Sequence, residues 1–536
     1  MNLIFRYKNQ DFIVLVFLAN NETIEVRKMI STKEEIREII ENKSMTYEQK
    51  HHALANAAER ILDPRELLGY SKEEYQSMED QVICDLNEGF GIYRPRYILP
   101  DYSVFVKQGS EFLELKKPEN LDDLLEGLRI LYHHIPSITS FPVYIGELDT
   151  LINPFIFDEE LAYPKIKRFL DYIDKTISDS FCHGNIRAKD TVAGRLILKA
   201  VEELKNPTPN ISMILNYEDY DSDFLQMALK TSLKVAKPSF ANHKIYGMEN
   251  PNYGIASCYN ALPIGGGAYT LPRLKLGTLL KKAQSKDEFL NTLLPKYTGL
   301  ILSMMDKRIH YLVEKSNFFE TSFLEKEGFI DQNQFVGMVG VIGLADSVNG
   351  LLAMDSLSET YGQSSTGDQL AHEILQRIER IVNNHKGIAS ISTEGKYLLH
   401  AQVGASIHIT DRENTPGHRI KVGEEPELPL HLIQSSKFHR YFPSGVGDVF
   451  AFDQTYLEHT DALEDILIGG FKEGHRYLSF YGENSDLVRV TGYLVKRSEV
   501  EKVRREEVVR RDTTALGAGS DEMSKVFSRR IRSNEG

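Results

Sequence analysis

Near its C-terminus the chain reads LVRVTGYLV, from Leu487 to Val495, with a glycine set among apolar β-formers. Loss of an α-hydrogen from Gly492 would leave a carbon radical between an amide nitrogen and a carbonyl, and both delocalise the electron. A side chain on that carbon would hinder planarity, and its absence lets a second backbone segment come close. Apolar neighbours would keep water and oxygen away. The same pattern also suits a strand with a bulge or a tight turn at Gly492. A stored backbone radical needs a relay to reach a substrate. A thiol can serve, because a thiyl radical abstracts hydrogen from carbon.

Three cysteines are available, Cys84, Cys182 and Cys258. Cys258 stands in GIASCYNALPIGGGAYTLPRL, a stretch crowded with glycine and small residues, as expected of a loop threaded into a scaffold. Cys84, in DQVICDLNEGF, reads as a helical, structural thiol. Cys182 has His183 beside it and is the alternative to Cys258. None forms a C-x-x-C pair, so no zinc or iron–sulfur site is visible and no metal is expected. A sparse, odd cysteine set points to a reducing cytoplasm.

Arg489-Val490-Thr491-Gly492-Tyr493 resembles the R-V-x-G-Y signature of glycyl radical enzymes and sits near the C-terminus, where that family carries it. Three further stretches are similar to the family. They are NPTPN (206–210), GMVGVIGLADSVNG (337–350) and FPSGVGDVF (442–450). Together with the Cys258 segment they look most like the YjjI group, related to pyruvate formate-lyase and anaerobic ribonucleotide reductase. The resemblance covers most of the chain after about Met45. It implies an α/β fold, a ten-stranded barrel of two five-stranded parallel halves surrounded by helices. The Cys258 and Gly492 loops would meet inside it.

By the same resemblance, the cofactor is a protein-derived radical at Gly492. A separate radical S-adenosylmethionine activase, carrying its own 4Fe-4S cluster, would install it. Homodimers, an oxygen-sensitive radical and anaerobic metabolism are also implied. Where many members carry Cys-x-Glu with the glutamate as base, this chain has Asn260, which takes no proton at neutral pH. Cys258 lacks the second adjacent cysteine of pyruvate formate-lyase, and the tail lacks the cysteine-rich zinc site of the reductases. The expected reaction is C–C or C–O cleavage of a small polar metabolite. The alternative is a non-catalytic relative of the same fold, acting in binding or regulation. Tyr259, Asn260, His243, Asp346 and Asn349 are candidate substrate contacts, with core hydrogen bonding the competing role.

These residues need elements to hold them. Helical periodicity covers Thr46–Leu62, Leu121–His133, Asp287–Lys315 as one long or broken helix, and Thr366–Asn384. The last has Leu370, Ile374, Ile378 and Ile381 on one face and a capping box at Thr366/Gln369. Strands are expected at Ile211–Asn216, Phe335–Ile342, Tyr397–His400, Arg476–Phe480 and Leu487–Val495. No repeat or long linker divides the chain. The expected organisation is an N-terminal extension (1–45), an α/β barrel with the cysteine loop (46–480) and a C-terminal radical segment (481–536). Phe12–Ala19 reads as a β-segment, too short to span a bilayer.

Net charge is −14, with 41% hydrophobic and 26% charged residues. That balance fits a globular protein and disfavours nucleic acid or an anionic membrane as a partner. Asp219, Asp221 and Asp223 open like a calcium loop, but Phe224 and Lys230 fall where glycine and glutamate belong. Gly265-Gly266-Gly267 lacks the lysine of a phosphate loop. Arg504, Arg505, Arg510 and Arg511, interleaved with Glu506 and Glu507, read as a solvated helix face.

Overall fold

The computed structural model describes residues 33–59, 61, 67–84, 91–137, 141–402 and 415–531. It has two compact units, Met1–Asp63 and Pro64–Gly536. The first contains the helix Tyr47–Glu59; the β-segment expected at Phe12–Ala19 lies outside the described residues. Residues 481–531 belong to the second unit.

The strands of the second unit that frame the site are β1 (Ile83–Cys84), β2 (Tyr97–Leu99), β3 (His183–Arg187), β4 (Asn210–Leu215), β5 (Ser239–Asn242), β6 (Tyr253–Ala256), β7 (Asn260–Pro263), β8 (Gly266–Thr270), β9 (Arg273–Lys275), β10 (Phe335–Ile342), β11 (Leu398–Ala401), β12 (Asp448–Phe452), β13 (Tyr477–Gly482), β14 (Leu487–Arg489) and β15 (Leu494–Lys496). One sheet runs β12-β13-β5-β4-β3. Two parallel groups, β12 with β13 and β3 with β4 and β5, meet at an antiparallel seam between β13 and β5. In the other sheet β10 pairs in parallel with β8, β9 and β11. β8 and β9 occupy successive stretches of β10, as halves of one strand broken at Leu271-Pro272, where proline removes a ladder donor. β2 and β1 cap them in antiparallel.

The sheets approach each other along their edges. The Ala401 N–H of β11 donates to the Gly445 carbonyl just before β12 (3.0 Å). At the far edge β3 meets a strandless segment instead: the Ile145 N–H donates to the His183 carbonyl and the Asn185 N–H to the Gly146 carbonyl, both at 2.9 Å. The strands are buried on both faces: every residue of β4, β10 and β13 is buried, as parallel strands between helices require. The helix-wrapped α/β architecture expected from the sequence is what forms.

Local chemistry explains where elements begin and bend. Leu121–Tyr132 is capped by Asn120, whose side chain accepts the Asp123 N–H. The expected long helix at 287–315 is continuous but carries a π-helical turn, Phe289–Leu293, just before Pro295, which cannot donate within a regular helix. Ser365–Asn384 buries Leu370, Ile374 and Ile378 as predicted, with Ile381 packed partly buried against the core. Its cap is Ser364, which accepts the Gly367 N–H; Thr366 instead donates to Glu359.

Two further readings are corrected. Cys84 lies on β1, not on a helix. Arg510 and Arg511 do not form a solvated face. Arg511 is 3% exposed and reaches both oxygens of the fully buried Asp174 at 2.8 and 2.7 Å, while Arg510 also donates to Asp174 at 2.7 Å. The two guanidiniums hold the Asp174 carboxyl below its ordinary range against the opposing effect of burial. They fasten the C-terminal segment onto the helix Glu159–Thr176.

Removing Arg511 takes away the buried cation on Asp174 and leaves the more exposed Arg510 and Lys175, so Arg511→Ala should cost about 2 kcal/mol, read as a lowered urea midpoint. Because the folded carboxyl is depressed, the pair contributes fully above the unfolded aspartate pKa of about 4. Its contribution falls as pH drops through the folded value. The wild-type advantage over Arg511→Ala should therefore shrink toward pH 3.

Candidate active site

The site begins with two hairpins. β6 and β7 pair from Tyr253–Pro263 to Ala256–Asn260 and present Cys258 at their tip. This hairpin touches both sheets. The Asn185 side chain on β3 acts as a surrogate strand, accepting the Ile255 N–H (2.8 Å) and donating to the Ile255 carbonyl (2.9 Å). On the other side, the Tyr259 hydroxyl donates to the Ala401 carbonyl of β11 (2.8 Å). Asn260 closes the tip by donating to the Ala256 carbonyl (3.0 Å).

Ser257 adopts φ +56°, a left-handed backbone that a residue with a side chain enters only at a cost of about 1–2 kcal/mol. Its N–H is held by the Val143 carbonyl (3.0 Å) and its carbonyl by His183 Nδ1 (3.1 Å). Burial pushes the His183 pKa down to about 3, so the ring is neutral. Its Nδ1 carries the proton given to Ser257, and its Nε2 faces the Ser212 hydroxyl at 2.9 Å. The kink before Cys258 is thus fixed by β3 and β4.

β14 and β15 form the second hairpin, closed by the Val490 N–H to the Tyr493 carbonyl at 3.1 Å. A turn does fall at Thr491-Gly492, but neither residue has a positive φ. Glycine is required there by space. A Cβ built on Gly492 would stand 2.1 Å from both Cα and Cβ of Cys258. The Gly492 Cα is one carbon–carbon bond, about 1.5 Å, from that point, so it lies in van der Waals contact with the cysteine. Cys258 and Gly492 thus meet.

The rest of the motif builds the walls. Val490 and Tyr493 are buried in an apolar cluster with Val495, Val500, Ala518 and Val526. The Tyr493 ring packs 5.0 Å from Phe181, and its hydroxyl meets Ser520 Oγ at 3.2 Å. Arg489 is fully buried. Its Nη1 donates to the Gly492 carbonyl (3.2 Å), and its Nη2 to Asn210 Oδ1 (2.9 Å) and the Ala236 carbonyl (2.6 Å). Asn210 Nδ2 donates to the same Gly492 carbonyl. Arg529 fastens the hairpin from outside, donating to the Arg489 carbonyl at 3.0 Å.

Burial pushes the Cys258 thiol up to about 11, opposed in smaller part by the Ser257 hydroxyl, the Gly492 backbone and the Thr491 hydroxyl. Nucleophilic cysteines are tuned the opposite way. This one stays S–H at neutral pH, the form that can give a hydrogen atom. Around it, Tyr259 lies between the rings of His400 (5.7 Å) and Tyr477 (5.9 Å), with the Arg419 guanidinium 5.7 Å from its centroid. Among the described residues, Asn260 Oδ1 and Arg419 Nη1 are buried without a hydrogen-bond partner.

The remaining sequence candidates fall elsewhere. His243 stacks on Tyr253 at the base of the cysteine hairpin (5.9 Å). Asp346 Oδ2 accepts the Thr415 N–H and hydroxyl, and Asp346 Oδ1 pairs with Lys421 (3.1 Å). Asn349 Oδ1 accepts the Tyr361 N–H (2.8 Å). Asp346 and Asn349 are thereby committed to holding backbone. Sequence reasoning missed Asn210, His183, His400 and Arg419; the NPTPN stretch was noticed, but nothing in it marks Asn210 as a partner of Gly492.

It also missed a buried cluster in which His418, His439 and Asp448 offer ligand atoms within 4.8 Å of one another. The Arg476 N–H occupies His439 Nδ1 at 2.9 Å, which puts the ring proton on Nε2. That proton goes to Asp448 Oδ2, 2.9 Å away, so His439 serves as a donor and has no lone pair left for a cation.

Two outcomes follow from the packing. Carbamidomethylation of Cys258 in the folded protein, followed by peptide mass spectrometry, should keep rising with pH toward about 11; a plateau near pH 9 would contradict the burial. Gly492→Ala should cost about 1–3 kcal/mol through overpacking against the cysteine hairpin, seen as a lowered thermal midpoint.

The glycyl radical enzyme YjjI-like family model matches residues 45–532. A protein of Haemophilus influenzae is 55% identical over 505 residues, 94% of this chain and 98% of its own. The YjjI protein of Escherichia coli strain K12 is 38% identical over 500 residues, 92% of this chain and 95% of its own. The anaerobic ribonucleotide reductase from Thermotoga maritima, solved with glycerol in the active site, superposes with a TM-score of 0.71 at 10% identity, covering 92% of this chain and 99% of that one. The B12-independent glycerol dehydratase from Clostridium butyricum superposes with a TM-score of 0.63 at 11% identity, covering 91% and 86%. At such identities these two likenesses speak for the fold, whereas the family match spans nearly the whole chain: it belongs to the YjjI-like glycyl radical enzymes.

Proposed function

We propose that Gly492 stores the radical and that Cys258 relays it to substrate. The contact between the Gly492 backbone and Cys258 carries this reading. The Gly492 carbon radical takes the hydrogen of the Cys258 S–H, leaving an intact glycine and a thiyl radical. The thiyl radical takes a hydrogen atom from a substrate carbon, restoring S–H and leaving a substrate radical. After bond cleavage the product radical recovers a hydrogen from Cys258, and the thiyl radical regains one from Gly492. Atoms and electrons balance over the cycle, so no external oxidant is consumed. Protonation of the thiol at neutral pH favours this path over thiolate chemistry.

The substrate is a small polar metabolite that undergoes C–C or C–O cleavage. Buried polar groups in a native fold are almost always paired. Asn260 Oδ1 and Arg419 Nη1 around the Tyr259–Cys258 tip, unpartnered among the described residues, are the groups such a substrate would satisfy. Asn260 stands where a carboxylate base would, so any proton transfer uses another group. His400, held neutral by burial with a pKa of about 3, serves as a hydrogen-bonding group.

A radical S-adenosylmethionine activase with a 4Fe-4S cluster installs the radical. Gly492 is buried, so the Leu487–Lys496 hairpin must open for that step. A cytoplasmic homodimer completes the reading. Among the described residues no helix is long and apolar enough to cross a membrane.

The test needs no substrate. After anaerobic co-expression with an activase, electron paramagnetic resonance should show a doublet from the single α-hydrogen of Gly492, absent in Gly492→Ala. In D2O the Cys258 thiol carries deuterium, and the relay passes it to Gly492, so the wild-type doublet should collapse. In Cys258→Ala the doublet should form and persist in D2O. Collapse in that variant would remove Cys258 from the relay.

A further inference from the structure

We infer that Asn210, acting with Arg489, tunes the stored radical by donating two hydrogen bonds to the carbonyl of Gly492. The proposal rests on the reading of Gly492 as the radical carrier and adds a residue outside the motif. Asn210 opens β4, far from the hairpin in sequence, and is fully buried. Its Nδ2 donates to the Gly492 carbonyl, and its Oδ1 accepts from Arg489 Nη2 (2.9 Å) and from the Ile211 N–H (3.0 Å). Those two bonds to Oδ1 settle the amide orientation, because an acceptor is needed there. Arg489 Nη1 donates to the same Gly492 carbonyl (3.2 Å). The carbonyl thus receives two donors that also brace each other, one of them charged.

Among the described residues the Arg489 side chain hydrogen-bonds neutral acceptors alone, the Gly492 and Ala236 carbonyls and Asn210 Oδ1. A buried guanidinium with no carboxylate on it keeps its field undiluted at short range. A glycyl radical is stabilised when nitrogen pushes electron density toward the carbonyl and the carbonyl withdraws it. Donors on the oxygen strengthen the withdrawal, draw spin off Cα and deepen the well in which the radical is stored. This is preorganised electrostatic stabilisation aimed at a ground-state radical. It biases the exchange between Gly492 and Cys258 toward the glycine without touching the sulfur.

The experiment uses the full chain, activated anaerobically. Asn210→Leu removes the donor while keeping similar bulk, and Asn210→Ser removes it with a smaller residue in case leucine does not fold. Loss of the donor should raise the spin on Cα and widen the α-hydrogen doublet by several per cent. The radical should also decay several-fold faster under anaerobic conditions, with circular dichroism unchanged. In wild-type protein expressed in D2O, deuterium electron–nuclear double resonance should show exchangeable deuterons at hydrogen-bonding distance from the Gly492 carbonyl. A wild-type doublet together with unchanged splitting and lifetime in the folded variant, or without such deuterons, overturns the role of Asn210 alone. Absence of a doublet from activated wild-type protein overturns the glycyl radical reading and this inference with it.

Discussion

The molecule is organised around one contact too tight for a side chain. A methyl group on Gly492 would overlap both Cα and Cβ of Cys258. A packed interior offers no slack to absorb such an overlap. Everything that positions either backbone is therefore constrained by the other. The cysteine hairpin is held by Asn185, Val143 and His183 on one side and by Ala401 on the other. The glycine hairpin is held by Arg489 to Ala236, by Arg529 to the Arg489 carbonyl, and by the apolar cluster around Val490 and Tyr493. The Arg511–Asp174 pair belongs to the same scheme, since it ties the segment following the hairpin to the body of the fold.

The two residues that meet in the fold were legible in the sequence because each has a local signature. Gly492 stands in a short motif, and Cys258 in a small-residue loop. Their chemical roles could be argued from residue type alone. Helices with strong apolar periodicity, such as Ser365–Asn384, and strands made of β-formers, such as Phe335–Ile342, were legible for the same reason. What could not be read depends on distance along the chain. Asn210 becomes a partner of Gly492 only once β4 is laid beside β3 and the hairpin is placed over it. Arg510 and Arg511 look solvated in a charge-rich run until Asp174 is found beneath them. Cys84 looks helical from its neighbours, yet pairs with Arg273 on β9. The cap at Ser364 rather than Thr366 is a local error: both can cap, and packing sets which turn comes first.

One physical cause, burial, gives the two halves of the site opposite electrostatic characters. At Cys258 desolvation penalises the thiolate, so the sulfur keeps its hydrogen. At Arg489 desolvation disfavours the cation, and among the described residues its bonds are all to neutral acceptors. A fold selected for stability alone would place a carboxylate on that guanidinium or replace it with an apolar residue. Here its hydrogen bonds are spent on the Gly492 carbonyl and on the amide that shares it. The same reasoning applies to Asn260 Oδ1 and Arg419 Nη1 near the cysteine, unpartnered among the described residues. Each carries a desolvation cost that no hydrogen bond among the described residues offsets. On the proposed reading a polar substrate offsets the cost beside Cys258, while Arg489 Nε and Thr491 Oγ1 on the glycine side are likewise unpartnered among the described residues. The glycine side, by contrast, is sealed by Val490 and Tyr493, and its carbonyl is fully engaged. On the proposed reading the apolar glycine side suits keeping a radical and the cysteine side suits using it. The contact between the Gly492 and Cys258 backbones is where the two sides meet.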